Sequence, residues 1–492
     1  ASDVYKRQTY KLLIMDFGVK KMYIGGRLCE SVAGTQKEII SPATGECIAK
    51  LCVASKEDTE LALQEAQKGF EYWSKLSLSE RNEWIAKLRN AVIAHKDELH
   101  YAVMYEMGKT WESADEDIDM IVDALEYYPN EMLRMRSQVL PDLQGSHTNI
   151  LVHEPRGVVC AMLAWNFPIL NVAYKVAPAI AAGCSIIIRP SIDSPVSAYL
   201  FGEICAEINF PAGVINVLTG SSKDTSIPMS ESLIPRVLTM IGSSATGKKL
   251  VAQSATSIKK LGLELGGNAP ALIFDDCDMD KAVNTMVGLK FNNSGQVCVT
   301  PNRIFVQSSI YDEFMSRFTE KTKAIKVGFG KDKGINMGPV INVKARERIM
   351  ELIDDAVSKG AKKSLGGIPE GMPERTSYLN PTILENVTPD MRCFNEEMFG
   401  PVATIIKFNT EEDLDPMVNV PDAGLASYVF TNSLERVQKY SKFIECGEVQ
   451  VNGVKYGINL PHGGMKDSGL GHDCSHLALE DYLYIKRISI AL

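Results

Sequence analysis

The sequence predicts an α/β protein made of two consecutive α/β domains. Short apolar runs alternate with amphipathic stretches from residue 157, and a second series of the same kind starts near residue 269. This alternation is typical of βα units around a parallel sheet. The two series predict a border near residue 264, and a chain of 492 residues has room for roughly two to four domains.

The elements of the first part follow from local patterns. The stretch 22–28 is short and strand-like, and helices with few strands are predicted from there to about residue 135. Two capping boxes are expected to start helices there: Ser55 with Asp58, and Ser77 with Glu80.

The βα series then supplies the strands of two parallel sheets. Predicted strands of the first series lie at 158–165, 184–190, 214–220 and 237–242, with a helix at 195–208. Those of the second series lie at 269–274, 303–307, 402–408 and 428–432.

Composition excludes several classes of protein. A chain that is 45% hydrophobic and 23% charged is typical of a folded globular protein rather than a disordered one. The net charge of −9 lacks the basic footprint of a nucleic-acid or anionic-membrane partner. The longest nearly apolar run, 176–188, is too short to span a bilayer. The eleven cysteines include no CxxC pair, which favours free thiols and a cytoplasmic location.

The first residues are set apart from the fold. Residues 3–8 resemble the translation of a sequencing adaptor, so residues 1–14 are predicted to be a non-native or disordered leader. Met15 or Met22 is then a plausible start, and an ordinary polar tail is the alternative.

Cys298 ends the stretch 295–298 (GQVC), which lies between an amphipathic run and a strand. A turn at this place can expose a thiol, and a nucleophilic cysteine needs partial exposure and a way to become a thiolate. The alternative is a small buried hydrophobic side chain, which is the usual state of a free cysteine.

Two polar residues near predicted strand ends are candidate partners. Glu264 stands in an apolar segment before two glycines, where a raised pKa would suit a general base; an ion pair with a lysine is the alternative. Asn166 follows a strand, where its amide can donate to an oxyanion; a simple turn is the alternative.

Two further patterns are weaker. Residues 242–249 nearly match a phosphate-binding P-loop, but Lys249 stands where that motif has Ser or Thr, so a phosphate-bearing ligand is favoured over a nucleotide hydrolase. His472, Cys474 and His476 fit no standard zinc spacing, so no metal site is predicted.

Taken together, the motifs resemble the aldehyde dehydrogenase superfamily from about residue 22 onward. The motifs that carry the resemblance are, in chain order, AWNFP, IIRPSIDSP, ELGGN, GQVC, EEMFGPV and PHGGMKDSGLG. The last is closest to aminoaldehyde dehydrogenases. The resemblance implies Cys298 as the nucleophile, Glu264 as the general base and Asn166 as the oxyanion donor. It also implies oxidation of an aldehyde to a carboxylic acid with NAD or NADP, through a thiohemiacetal and a hydrolysed thioester.

The resemblance implies a Rossmann-like cofactor domain and the residues that line it. Glu397 would hold the nicotinamide ribose, Phe399 and Trp165 would line the cofactor site, and Gly242 and Ser243 would meet the pyrophosphate. The family holds the adenosine ribose with a Lys and, three residues later, a Glu.

The adenosine-ribose positions depart from that pattern. They are Arg189 and Ile192 here, with Ser191 between them. Because the carboxylate that would repel a 2′-phosphate is missing, NADP is expected to be at least tolerated.

The substrate pocket departs from one branch of the family. Relatives that act on succinate semialdehyde carry arginines where this chain has Tyr174 and Asn292, so a dicarboxylic semialdehyde is disfavoured. A neutral or amino-substituted aliphatic aldehyde is predicted, while Lys455 near the pocket-forming loop favours an anionic substrate instead.

The family architecture implies three parts. The predicted parts are an NAD(P)-binding domain (20–135 and 156–263), an α/β catalytic domain (264–473) and a small β oligomerisation element (136–155 and 474–492). The stretches 147–152 and 482–491 are strand-like and would pair across subunits of a dimer or tetramer. The alternatives to a hydrolytic dehydrogenase are a coenzyme A-acylating relative, which would tend to lack Glu264, and a catalytically weak nucleotide-binding relative.

Overall fold

The structure is a computed structural model and describes residues 15–330, 334–373 and 375–492. The predicted leader, 1–14, therefore lies outside the described residues. Within the described part of the chain, no helix combines the length and apolar character that crossing a membrane requires.

Strands and helices alternate along most of the described chain. In chain order the strands are β1 (Val19–Lys20), β2 (Met22–Ile24), β3 (Arg27–Cys29), β4 (Gln36–Ile40), β5 (Cys47–Cys52), β6 (Gln138–Leu140), β7 (His147–Pro155), β8 (Val158–Met162), β9 (Ser185–Arg189), β10 (Ile215–Val217), β11 (Pro235–Ile241), β12 (Lys260–Glu264), β13 (Pro270–Ile273), β14 (Arg303–Gln307), β15 (Lys362–Leu365), β16 (Thr382–Glu385), β17 (Val402–Phe408), β18 (Ala423–Gly424), β19 (Ala426–Phe430), β20 (Glu448–Val451), β21 (Met465–Lys466), β22 (Gly469–Leu470) and β23 (Leu483–Ala491).

The α-helices are α1 (Lys56–Trp73), α2 (Leu78–Ala94), α3 (Lys96–Met107), α4 (Trp111–Arg134), α5 (Pro168–Ala182), α6 (Val196–Glu207), α7 (Ser226–Glu231), α8 (Ser244–Gln253), α9 (Met279–Phe291), α10 (Tyr311–Lys323), α11 (Val343–Ser358), α12 (Arg392–Asn395), α13 (Glu411–Val418), α14 (Leu434–Phe443) and α15 (Leu477–Glu480). Short 3-10 helices cover Ser254–Thr256, Asn292–Gly295 and Ser308–Ile310.

Two largely parallel sheets form the body of the protein, which confirms the α/β prediction. The first has the order β22–β12–β11–β8–β9–β10–β2–β3, and β8 to β12 are mutually parallel. The second has the order β15–β16–β17–β14–β13–β19–β20, parallel except at β15. Buried apolar residues fill both sheets; the central strands of the first are almost entirely inaccessible to solvent.

The chain before residue 135 contains more strand than the sequence predicted. β1, β5 and β4 form a separate three-stranded sheet ahead of the first helix. The sequence pattern missed β4 because four of its five residues are exposed, so it shows no apolar alternation. Both predicted capping boxes are present, at the starts of α1 and α2.

A second three-stranded sheet, with the order β23–β7–β6, joins the end of the chain to its middle. β23 pairs antiparallel with β7 over nine residues, from Leu483 opposite Pro155 to Ala491 opposite His147, and β6 pairs with the other edge of β7. These strands lie where the sequence has the strand-like stretches 147–152 and 482–491.

Candidate active site

The candidate site lies where the carboxyl edge of the first sheet meets the amino edge of the second. The residues that close or follow strands of the first sheet are Asn166 after β8, Arg189 in β9, Gly242 after β11 and Glu264 in β12. The residues that precede or open strands of the second are Cys298 before β14, Glu397 and Phe399 before β17, and Glu448 in β20. In the sheet, β9 and β10 follow on one side of β8, and the chain then crosses over to place β11 and β12 on the other side. The gap between β8 and β11 is therefore the switch point at which such sheets bind ligands.

The loop that carries Cys298 is rigidly shaped. Asn293, Ser294 and Gly295 all have positive φ, 45°, 57° and 70°, which is a costly conformation for the first two. A Cβ on Gly295 would lie 2.1 Å from the carbonyl oxygen of Gly400, so only glycine fits there. Gln296 is buried and accepts the N–H of Ile341 at 2.8 Å. The GQVC stretch is thus fixed against the second sheet and leaves Cys298 half-buried.

Asn166 is held beside this loop. Its Nδ2 donates to the carbonyl of Gln296 at 3.1 Å, two residues before the candidate nucleophile. The following helix, α5, is anchored by Asp117, whose carboxylate accepts the N–H groups of Ile169 and Leu170 at 3.1 and 3.0 Å. Asp117 also binds Lys109 at 2.6 Å in a fully buried pair. The amide of Asn166 is therefore held against the backbone of the loop that carries Cys298.

The two glycines after Glu264 permit close approaches. A Cβ on Gly266 would lie 2.6 Å from an oxygen of Glu397, and one on Gly267 would lie 2.7 Å from the carbonyl oxygen of Cys298. The N–H of Gly267 donates to Glu397 at 3.1 Å. The ELGGN motif thus brings the carboxylates of Glu264 and Glu397 and the backbone of Cys298 together.

Sequence reasoning missed a histidine at the centre of the site. His462 Nε2 lies 3.1 Å from Oε1 of Glu264 and 4.0 Å from Sγ of Cys298, and Nδ1 lies 2.6 Å from Oε1 of Glu448. One polar side-chain atom each of Glu264, Cys298 and His462 lies within 4.8 Å of the other two, and the imidazole links the carboxylate to the sulfur. The one sequence signal for it was its place in the motif PHGGMKDSGLG, of which His462 is the second residue.

Burial and charge shift the protonation of this group. Burial, and then the charge of Glu264, raise the pKa of the Cys298 thiol to about 12, while His462 opposes this rise. Burial lowers the pKa of His462, but hydrogen bonds to Cys298, Glu264 and Glu448 outweigh it and hold that pKa well above its usual value. Burial also raises the pKa of Glu397 to about 7.

The residues expected at the cofactor lie around the switch point. The rings of Trp165 and Phe399 meet edge to face with centroids 5.3 Å apart. Ser243 caps α8 by accepting the N–H of Thr246, and the exposed start of this helix offers backbone N–H groups to a phosphate. The N–H of Gly242 donates to the backbone carbonyl of Glu264 at 3.0 Å and so ties that helix start to the end of β12. The aromatic pair and the anion-binding helix start fit a nicotinamide dinucleotide.

The positions expected at the adenosine ribose lie at the end of β9 and just after it. Arg189 is half-buried and donates to the carbonyl of Gly220 at 2.9 Å and weakly to Thr225 Oγ1 at 3.4 Å. Ser191 accepts the N–H of Asp193 at 3.3 Å, and Ile192 packs against the apolar core. Arg189 is thus the cation at this corner, and Ile192 supplies no acceptor for ribose hydroxyls.

The three predicted pocket residues have different surroundings. Tyr174 faces His462, with ring centroids 6.3 Å apart, so it borders the thiol group. Asn292 donates to the carboxylate of Glu116 at 3.2 Å. Lys455 is exposed. Elsewhere His472 and His476 are exposed whereas Cys474 is buried, so these three donors do not converge.

Comparison with known proteins gives the family. The model of the aldehyde dehydrogenase family matches residues 29–488, nearly the whole chain. The chain belongs to this family. It therefore has the aldehyde dehydrogenase fold, and it is an NAD(P)-dependent enzyme that oxidises an aldehyde to a carboxylic acid.

Several curated relatives are similar over most of their length. A mitochondrial succinate-semialdehyde dehydrogenase of Oryza sativa is 39% identical over 94% of this chain and 88% of its own. The NADP(+) succinate-semialdehyde dehydrogenase GabD of Escherichia coli is 34% identical over 95% and 97%. The crystal structure of a betaine aldehyde dehydrogenase from Staphylococcus aureus with NAD+ has a TM-score of 0.93 at 31% identity, over 96% of this chain and 95% of that one. The relatives thus include users of both nucleotides, and the cofactor of this dehydrogenase is NAD or NADP.

Proposed function

We propose that this dehydrogenase works through a covalent adduct on Cys298, with Asn166 holding the developing oxyanion and Glu264 activating water. The observation that carries the proposal is convergence. Glu264 and His462 lie around the Cys298 thiol, and the Asn166 amide donates to the backbone carbonyl two residues before it, on a loop with three residues in the left-handed conformation. The test is the appearance of reduced nicotinamide, by absorbance, with NAD and NADP against short aliphatic, amino, hydroxy and carboxylated aldehydes.

The chemistry follows from the residues. The thiolate of Cys298 bonds to the aldehyde carbon, and the alkoxide that forms accepts hydrogen bonds from the Asn166 amide and the backbone N–H of Cys298. A bound nicotinamide supplies the hydride acceptor. The acyl group is then a thioester on Cys298. Glu264 takes a proton from water as the oxygen bonds to the acyl carbon, and the thiolate leaves as the acid is released.

The cofactor residues are proposed from their positions around the switch point. Gly242 and Ser243 at the start of α8 would meet the pyrophosphate, and Trp165 and Phe399 would line the nicotinamide side. Glu397 would accept from the nicotinamide ribose. Its carboxylate is held near the sheet junction by the N–H of Gly267.

NADP is expected to serve as cofactor with a kcat/KM of at least about one hundredth of the NAD value, a limit that corresponds to about 2.7 kcal/mol. The reason is that Arg189 can pair with a 2′-phosphate and Ile192 cannot repel one. The measurement is kcat/KM for both nucleotides with one aldehyde.

Substitution at Ile192 tests the same corner. Ile192→Glu would lower kcat/KM with NADP about tenfold relative to NAD, because it restores a carboxylate that repels the 2′-phosphate. The control is Ile192→Gln, whose side chain has the size of glutamate but no charge. It should leave the ratio of kcat/KM with NADP to kcat/KM with NAD nearly unchanged. A wild-type kcat/KM with NADP below about one hundredth of the NAD value would contradict the expectation that NADP serves as cofactor.

For the substrate we propose an aliphatic aldehyde without a distal carboxylate, neutral or amino-substituted. Two carboxylates, Glu264 and Glu448, contact the histidine beside the thiol. Glu448 has a buried oxygen, Oε2, without a hydrogen-bond partner, and the side chain of Asn292 is bound to Glu116. An unpartnered buried carboxylate oxygen favours a cation nearby and disfavours a second carboxylate. The similar structure named for betaine aldehyde belongs to a dehydrogenase whose substrate is cationic.

A dicarboxylic semialdehyde is the second candidate, because the rice and Escherichia coli relatives are named for succinate semialdehyde. Lys455 is the exposed cation that would favour it. Against it stand Tyr174 and Asn292, which are not cations.

A comparison of three aldehydes distinguishes the candidates. We expect 4-aminobutanal or propanal to exceed succinate semialdehyde in kcat/KM by about tenfold or more, about 1.4 kcal/mol. Combining Tyr174→Arg with Asn292→Arg should narrow or invert that ratio, because it supplies cations to a substrate carboxylate. The matched control, Tyr174→Gln with Asn292→Gln, adds no charge. A wild-type preference for succinate semialdehyde would contradict the substrate proposal and leave the thioester chemistry intact.

We further propose that the protein self-associates through the β23–β7–β6 sheet, as a dimer or tetramer. β23 is exposed along most of its length, with Ile485 69%, Ile488 41% and Ile490 51% accessible. A second copy would cover these apolar side chains. The division into a cofactor domain (20–135 and 156–263), a catalytic domain (264–473) and an oligomerisation element (136–155 and 474–492) is part of this proposal.

A cytoplasmic location is proposed as well. All eleven cysteines are free, which favours a reducing compartment. The name of the rice relative places that enzyme in mitochondria.

A further inference from the structure

The imidazole of His462 lies between two carboxylates and beside the sulfur of Cys298. Nδ1 is 2.6 Å from Glu448 and Nε2 is 3.1 Å from Glu264, with Sγ at 4.0 Å from the same nitrogen. The three polar side chains are nearly enclosed, with accessible fractions of 11% for His462, 10% for Glu448 and 6% for Glu264.

The backbone of His462 is fixed as firmly as its ring. Its N–H donates to the carbonyl of Asp473 at 2.8 Å, and the N–H of Asp473 donates back at 2.6 Å. The side chain of Asp473 in turn binds Lys175 of α5 at 2.5 Å in a buried ion pair. The ring is therefore held at this place by the C-terminal segment and α5 together.

This geometry suits one charge state of the histidine. Both ring nitrogens lie at hydrogen-bond distance from a carboxylate oxygen, and an ionised carboxylate can only accept. A neutral imidazole has one N–H, so it would present a lone pair to one of the two carboxylates. The imidazolium has two N–H groups and satisfies both.

We propose that His462, kept as an imidazolium by Glu448 and Glu264, is a catalytic residue that stabilises the thiolate of Cys298. The proposal rests on the proposed function, which makes Cys298 the nucleophile. When the S–H bond breaks, the proton passes to solvent, to which the half-buried thiol is partly accessible, and the electron pair stays on sulfur. The imidazolium keeps both its protons, and its Nε2–H then faces the thiolate. In this step Glu448 is a positioning residue, because it reaches the thiolate only through the ring of His462.

The need for such a cation follows from the environment of the thiol. Burial and the charge of Glu264 raise the pKa of Cys298, so a thiolate would be scarce without a neighbouring positive charge. An opposite charge at 4 to 6 Å changes a pKa by about 1 to 3 units. The titratable groups that face His462 or border the thiol are Glu264 of β12, Cys298 before β14, Tyr428 of β19, Glu448 of β20, Tyr174 and Lys175 of α5, Tyr456, and Asp473 and Cys474 of the C-terminal segment.

The test is the pH dependence of alkylation of Cys298 by iodoacetamide in the full-length protein. Peptide mass spectrometry follows the Cys298 peptide separately from the other cysteines. We expect His462→Gln to move the midpoint upward by about one pH unit or more, because glutamine can still bond to a carboxylate but carries no charge. Glu448→Gln should move it in the same direction by less, since Glu264 still faces the ring. This second variant keeps the test available if the first folds poorly.

The control is His472→Gln, an exposed histidine ten residues further on, which should leave the midpoint unchanged. A His462→Gln profile that coincides with the wild-type profile would overturn the proposal for His462. Failure of the proposed function would look different, because dehydrogenase activity would then survive the loss of the Cys298 thiol.

Discussion

Replacing Cys298 by alanine is expected to lower the rate of aldehyde oxidation by a factor on the order of 10⁴ or more, because no other group can form the adduct. The loop around residue 298 is fixed by its left-handed backbone and by buried Gln296, so the shorter side chain should leave its shape intact. Nucleotide binding, followed by quenching of protein fluorescence, should therefore be retained. Activity is read as the appearance of reduced nicotinamide.

A matched variant separates loss of the nucleophile from loss of a cysteine. Cys277 is half-buried like Cys298 but lies between β13 and α9, away from the junction of the sheets. Cys277→Ala should keep nearly full activity. Appreciable oxidation by the Cys298→Ala protein would contradict the assignment of the nucleophile.

Replacing Glu264 by glutamine is expected to slow steady-state turnover by about 10² to 10⁴, the usual contribution of a general base. The first turnover should survive, since the thiol, the Asn166 amide and the cofactor residues are unchanged. Glutamine can still accept the N–H of His462 through its carbonyl oxygen. The prediction is thus a burst of reduced nicotinamide, stoichiometric with enzyme, followed by a slow phase.

Stopped-flow absorbance with saturating aldehyde and nucleotide distinguishes the possible roles of this glutamate. Glu480→Gln, an exposed residue on α15, serves as the control and should show ordinary turnover. Loss of the burst in Glu264→Gln would mean that the glutamate is needed before thioester formation, contrary to its role as the base for water.

The elements and residues that local pattern can reveal were predicted well. The βα series, the capping boxes at Ser55 and Ser77 and the position of Cys298 between a helix and a strand all follow from residues close in sequence. β4 was not predicted because its side chains are mostly exposed, so its sequence lacks the alternation of apolar and polar residues that marks a half-buried strand.

The contacts of His462 with its neighbours were not predicted for a different reason. His462 lies 164 residues from Cys298 and 198 from Glu264, and only the folded sheets bring them together. Glu448 is the first residue of a half-buried strand, where a carboxylate is uncommon. Its presence there indicates a special role, but the sequence does not show which residue it contacts. Asn292 stays a predicted pocket residue, and its hydrogen bond to Glu116, 176 residues away in the chain, could not be read from the sequence.

Mass spectrometry of the Glu264→Gln protein tests whether oxidation passes through a thioester on Cys298. The protein is mixed with the best aldehyde and nucleotide, quenched in acid during the slow phase and digested. We expect the mass of the Cys298 peptide to rise by the mass of the aldehyde less two hydrogens, because one hydrogen leaves as hydride and the acyl group replaces the thiol hydrogen. This rise should keep step with the appearance of reduced nicotinamide. Reduced nicotinamide without an acyl group on that peptide, or an acyl group on another cysteine, would contradict it.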